Sequence, residues 1–257
     1  MIMVRRQLKI VITTGYMVFC LIGCSNLSRL NEEGFFCEYS HDQKMWALGT
    51  CAIINEINRD RLDILGGREK NSTNSDLIRE RILDKWWGIK SRAKFMETLN
   101  WLEISGDRVP MYKEGMALSK MTSDEFLELL KSHKNNQPMV RRLSMARYGY
   151  SRYGEKSIIA WDYSRYIALC GWGYIVGYLS ENEAWQLIMP KAKELQNSFK
   201  SWTDMGENYL QGRAYWPEKP TEDRNRIGRE AWSRLAWDKK DGPWQTLDWQ
   251  TDLSCNK

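Results

Sequence analysis

Residues 158–179, IIAWDYSRYIALCGWGYIVGYL, are almost wholly apolar and carry one acid, Asp162, and one base, Arg165. A folded chain must pass such a run through a bilayer or bury it on every side. Its length would suffice for crossing, which takes about 20 apolar residues. The two charges oppose that reading, since each costs about 2.5–3.5 kcal/mol near the bilayer centre. Glycines at 171, 173 and 177 also weaken an uninterrupted helix in water. The run therefore predicts a buried core helix over about 158–170, then a glycine-rich break. The rest of the chain must supply the walls around it.

The material for those walls is present. Thirteen tryptophans occur in 257 residues, all between Trp46 and Trp249, and each buried indole removes about 150–250 Å² from water. Helix signals recur along the chain. Ser40 with Gln43, Thr122 with Glu125 and Ser180 with Glu183 are capping-box patterns, in which each side chain answers the other's backbone N–H. Trp46, Ile53, Ile54 and Ile57 follow the first box, and Gly66–Gly67 close that region. The polar NSTNS at 71–75 predicts a loop, and a helix over about 76–87 places Ile78, Ile82 and Trp86 on one stripe. Ser91 caps the next helix, with Phe95, Leu99 and Leu102 inward and Gly106 at its end.

After the third box, Ala184, Ile188, Ala192, Leu195 and Phe199 make an apolar face, and Pro190 inside it predicts a kink or a division. A short helix follows from Ser201 to Gly212, and Ile227, Ala231 and Leu235 mark a last amphipathic one. The tail PWQTLDW is expected to fold back as a lid of tryptophans. No alternating run exceeds five residues. The fold class expected is mainly α: a single globular helical domain of about six to eight helices with a Trp-rich core, over residues 40–257.

The first 39 residues are of another kind. MIMVRRQLK is basic and IVITTGYMVFCLIG is apolar, a composition and length that suit an export signal. Leu21-Ile22-Gly23-Cys24 resembles the lipobox of exported bacterial lipoproteins. That resemblance implies removal of residues 1–23, diacylglyceryl transfer to the Cys24 sulfur, and residues 24–39 as a tether. Several acyl chains give lasting anchorage, since each buried CH₂ contributes about 0.8 kcal/mol. No aspartate stands directly after Cys24, which by the same resemblance directs the protein to the outer membrane, facing the periplasm. Residues 1–23 hold three bases and no acid, so 35 bases then face 33 acids. The exported chain is near neutral, and a composition argument for nucleic acid is gone.

Cys37, Cys51, Cys170 and Cys255 remain in an oxidising compartment. Four cysteines allow three pairings. Cys37 and Cys255 lie near opposite ends and are placed to staple them, whereas Cys170 reads as a small buried hydrophobe.

Trp87-Gly88-Ile89, Ser91-Arg92 and Trp101-Leu102, then Ala160-Trp161-Asp162 with Arg165, begin a longer set of spaced pieces. Gly177-Tyr178-Leu179-Ser180-Glu181, Ala184-Trp185, Ser201-Trp202 and Tyr209-Leu210 with Gly212-Arg213 and Trp216 complete it. Together these resemble the bacterial domain-of-unknown-function family numbered 1266, over about residues 45–250. One departure is Asp107, where the resemblance leads one to expect a histidine after Gly106. The resemblance implies a single, mostly helical domain and brings no activity or catalytic residues.

Asp162 and Arg165, three apart, share a helix face. They are the catalytic candidates, a general base beside an anion-binding guanidinium; the competing reading, which the sequence favours, is a structural buried ion pair. Arg92, Arg213 and Trp161 are binding candidates that would need to converge on them. Residues 141–156 interleave arginine with tyrosine, and Arg147, Tyr150 and Arg152 are candidates for anionic glycan or lipid; the alternative there is a solvated connector pairing with local acids. His41 and His133 are the only histidines, both in polar contexts. There is no HExxH, GxSxG or P-loop, so no metal or cofactor is expected.

The expected function is that of a lipid-anchored envelope protein that binds another envelope protein, as an assembly factor or an immunity protein. The alternatives are an envelope-polymer enzyme using Asp162 and Arg165, or the anionic binder. The anchor is tested by treating expressing cells with globomycin, or by Cys24→Ala. Either is expected to leave the precursor unprocessed and off the membrane fraction; unchanged processing and membrane association contradict the lipobox.

Overall fold

The computed structural model describes residues 37–215 and 222–255. The leader, Cys24, the tether as far as residue 36, and Trp216 lie outside the described residues. Helix α1 (His41–Gly49) begins at the Ser40–Gln43 capping box, with both reciprocal bonds formed at 3.2 and 2.8 Å. Helix α2 (Ala52–Asn58) follows and ends at Arg59.

Helix α3 (Ser72–Leu77) starts inside the segment expected to be a loop. Asn71 caps it, and it buries none of its own residues, so no apolar period announced it. It runs on through a π-helical stretch, Ile78–Asp84, into a last turn, Lys85–Trp87. The wider π turn shifts the stripe. Leu83 joins Ile78 and Ile82 in the core, and Trp86, expected inward, is 44% exposed.

Helix α4 (Arg92–Ile104) is capped by Ser91 and buries Phe95, Leu99 and Leu102 as expected. Its end is fixed by Gly106 at φ +55°, whose N–H bonds Trp101 O at 2.8 Å. Helix α5 (Arg108–Ser119) carries no clear helix signal in the sequence, since Pro110 and Gly115 lie within it. Pro110 sits in the first turn, where its missing N–H has no intrahelical partner to lose. At Gly115 a side chain would meet the carbonyl of Ala146 at 2.4 Å, which marks a close helix crossing. Helix α6 (Ser123–Ser132) carries the Thr122–Glu125 box. Helix α7 (Gln137–Tyr153) packs against α5.

Helix α8 (Ile159–Ile175) is the expected core helix, buried at nearly every residue. It does not break after 170. Gly171 and Gly173 are helical, and they are small because neighbours press against them. A Cβ at 171 would lie 2.6 Å from the backbone N of Gly66, and one at 173 would lie 2.4 Å from the Phe95 ring. The chain turns only at Gly177, φ +81°.

Helix α9 (Glu181–Ser198) starts at the Ser180–Glu183 box and is not divided by Pro190. Pro190 lies on the exposed side, where water can take the carbonyl it frees. Ile188, Met189, Ala192 and Leu195 hold the helix against α8. Helix α10 (Trp202–Tyr215) passes through Gly212 rather than stopping there. That glycine makes room for Trp161, whose Cβ would be 2.2 Å from an added methyl. Helix α11 (Glu222–Ser233) leads into a second π stretch, Arg234–Asp238. Ala231 and Leu235 are buried while Ile227 is 38% exposed. Helix α12 (Pro243–Thr246) ends the series.

The expected single, helical, Trp-cored domain is what forms, with no β-strand among the described residues. It has more segments than six to eight, α5 and several short pieces being the additions. No described helix is long and apolar enough to cross a membrane. Trp46, Trp202 and Trp249 meet at centroid distances of 4.7–5.0 Å, and Trp244 stacks on Trp202 at 6.1 Å. The tail closes over them as a lid. The indole N–H of Trp46 donates to Asp248 O (3.1 Å), that of Trp202 to Leu247 O (3.0 Å), and that of Trp244 to Gly49 O (2.8 Å). Of the pairings open from sequence, Cys37–Cys255 is formed, and Cys51 and Cys170 are free and buried.

Candidate functional site

The first turns of α8 place Asp162 in the interior, with 0% of its surface exposed. Its carboxylate faces the corner between α4 and α5. Oδ1 accepts from the Asp107 backbone N–H (3.0 Å) and from Arg165 Nη2 (2.6 Å). Oδ2 accepts from the Arg108 backbone N–H (3.0 Å) and from Arg108 Nη1 (3.2 Å). Two of these donors are the first amides of α5, so a carboxylate from one helix caps the positive end of another. Asp107 itself makes no side-chain cap. Its Oδ2 instead accepts from Trp161 Nε1 (3.1 Å) and Arg165 Nη2 (2.8 Å).

The two guanidiniums complete the network. Arg165, 7% exposed, donates from Nε to its own helix at Trp161 O (3.1 Å). Its Cζ lies 4.3 Å from the Trp161 ring centroid, 5.5 Å from Trp87 and 6.0 Å from Trp101, within cation–π range. Arg108 donates to Leu102 O (2.6 Å) and Glu103 O, so it also satisfies the last carbonyls of α4. It lies 5.0 Å over the Tyr163 ring. Gly106 is what lets the corner approach: a Cβ there would sit 2.0 Å from Asp162 Oδ2.

Burial raises the Asp162 carboxyl above its ordinary value. The Arg165 guanidinium opposes that rise, the Asp107 carboxylate adds to it, and the Arg108 and Asp107 amides oppose it. A raised value alone would suit a general base, but the geometry does not. Both oxygens already hold two donors each and none of the residue reaches solvent. The arrangement fastens α4 and α5 to α8.

Asp107 and Arg108 were missed by sequence reasoning. They stand about 55 residues from Asp162, and the one available signal was Gly106 followed by an acid and a base where a helix ends. The departure at Asp107 from the expected histidine puts a carboxylate where it can hold Trp161 and Arg165 together.

The remaining candidates do not all converge. Arg92 donates to Tyr178 O (2.9 Å) and reaches Glu183 (3.4 Å), pinning the start of α4 to the turn before α9. Arg213 donates to Arg224 O (3.4 Å). Arg224 is lowered to about 10 by burial and by Arg213, with Tyr209 opposing and Arg165 adding, so these arginines lie within electrostatic reach of the network. Trp161 meets Tyr209 edge-on at 5.2 Å.

The arginines and tyrosines of 141–156 are not one surface. Arg147 turns to Met121 O (3.0 Å) and the Phe126 ring (4.3 Å). Tyr150 packs on Tyr112 (5.7 Å). Arg142 pairs with Glu114 (3.0 Å) and Arg152 with Glu207 (2.5 Å). His133 bonds within its own helix end. No group of His, Cys, Asp and Glu that could hold a metal ion occurs among the described residues.

Two large apolar side chains near the network reach the surface. Trp101 is 39% and Ile104, one turn on, 65% exposed, beside the half-buried Trp87 and Asp107.

Residues 82–249 match the family described as Protein of unknown function (DUF1266), and the chain belongs to that family. No curated protein and no solved structure matches it.

Removing one partner of a buried charged network costs about 3–5 kcal/mol. Asp162→Asn is expected to lower unfolding stability by that amount in urea titration, and Gly106→Ala to move it the same way. A wild-type midpoint for both contradicts the fastening role.

Proposed function

We propose that this chain is a lipid-anchored protein of the bacterial envelope, held at the outer membrane through Cys24. Its helical domain binds another envelope protein there, in assembly or as immunity. The observation that carries the reading is the exposure of Trp101 and Ile104, two large apolar side chains one turn apart on α4. Exposed large apolar side chains that adjoin one another mark interaction sites, and tryptophan is among the residues that dominate binding energy at protein interfaces. The lipobox resemblance supports the anchor.

The enzyme alternative asks Asp162 to receive a proton from a substrate. Its four donors and full burial argue against that role.

The test is a cross-linked pull-down of the full chain from detergent-solubilised membranes. The wild type is expected to retain a stoichiometric partner. Trp101→Ala with Ile104→Ala is expected to weaken retention about thirtyfold, the effect of a hot spot near 2 kcal/mol, while helicity by circular dichroism is unchanged. Absence of any stoichiometric partner, or equal retention by the variant, contradicts the reading.

A further inference from the structure

A separate cavity of about 490 Å³ lies between the end of α7, the turn after it, and the junction of α9 with α10. Arg152, Lys156 and Lys200 line it, with Asp204 as the acid of the lining. Arg152 is committed: its Nη2 pairs with Glu207 at 2.5 Å and lies 3.9 Å from Asp204. Asp204 accepts the Lys200 backbone N–H at 3.2 Å and belongs to the first turn of α10.

The two lysines are different. Lys156 donates to the carbonyl of Ser198 (2.9 Å) and to no carboxylate, and Lys200 has no ion pair among the described residues. Glu155, the acid nearest in sequence, acts on Tyr112 instead. Two ammoniums therefore border one cavity whose lining holds a single carboxylate, Asp204. The start of α10, a helix of 14 residues, borders the same cavity, with its Asp204 amide capped by Ser201 Oγ at 3.2 Å. On the apolar side Tyr153 and Phe199 meet edge-on at 6.3 Å.

We propose that this cavity binds a phosphate ester, its phosphate between Lys156 and Lys200 and its organic part over Tyr153 and Phe199. A phosphate carries about −1.5 to −2 near neutral pH and several strong acceptors. It offsets the surplus of positive charge, and the two ammoniums supply donors for it. The cavity volume exceeds that of phosphate alone, and the aromatic side gives the excess a use. Among the cations expected from sequence to grip an anionic ligand, Arg152 alone reaches this cavity, as a paired and oriented wall. The site is independent of the Trp101–Ile104 face.

The full chain in detergent is titrated calorimetrically with inorganic phosphate and with glycerol 3-phosphate. It is also incubated with phosphatidylglycerol or phosphatidylcholine and weighed by native mass spectrometry. Saturable, salt-sensitive binding is expected, weakened about tenfold or more in Lys156→Ala/Lys200→Ala, as loss of charged hydrogen bonds requires. Both lysines are exposed, so the variant should keep its helicity.

Whichever probe shows that drop names the source. Retained phosphatidylglycerol indicates a lipid head group and glycerol 3-phosphate a soluble ester, whereas binding of phosphate alone overturns the ester assignment. No binding by any probe, or binding equal in the double variant, overturns the proposal.

Discussion

The structure depends on one carboxylate. Asp162 sits in a helix with almost no exposed surface and draws four donors to itself, two of them the opening amides of a helix distant in sequence. Isolated, such a charge would cost several kcal/mol to bury. Here the cost is offset because the corner between two helices brings its dipole, a guanidinium and a glycine to the same point. The corner in turn needs that carboxylate for its amides. Asp107 spends its carboxylate on Trp161 and Arg165, so α5 has no cap of its own. The pairing that α8 needs for its charge is the cap that α5 needs for its amides.

Much of this was legible in the sequence wherever a local rule applied. All three capping boxes form, since each needs only residues three apart. The burial of α8 and the inward stripe of α4 followed from composition and period. The reading erred where tertiary packing overrode propensity. Gly171, Gly173 and Gly212 looked like helix ends and are contact points, selected by Gly66, Phe95 and Trp161. Pro190, expected to kink or divide its helix, leaves it undivided on a wet face. Trp86 looked buried, and the π turn before it carries it outward.

The candidate site was half legible for the same reason. Asp162 and Arg165 could be paired because they are three apart on one helix. Asp107 and Arg108 could not be placed beside them without the fold. Their arrival changes the chemistry: an acid and a base in an apolar run suggest a reacting pair, whereas two acids and two bases cross-linked by hydrogen bonds describe a fastening. The consequence for function is indirect. Arg165 lies within cation–π range of Trp87 and Trp101, and under the proposed binding role side chains held in place lower the entropy a partner must overcome on docking.

The claim that Asp162 holds the α4–α5 corner is tested most directly by hydrogen exchange at the Asp107 and Arg108 amides, resolved by NMR. Amides that open only with the whole fold exchange with the free energy of global unfolding. The account predicts that both belong to this slowest class and lose their protection in Asp162→Asn even below its unfolding transition. Exchange of these two amides at the rate of ordinary loop residues in the wild-type protein would contradict it.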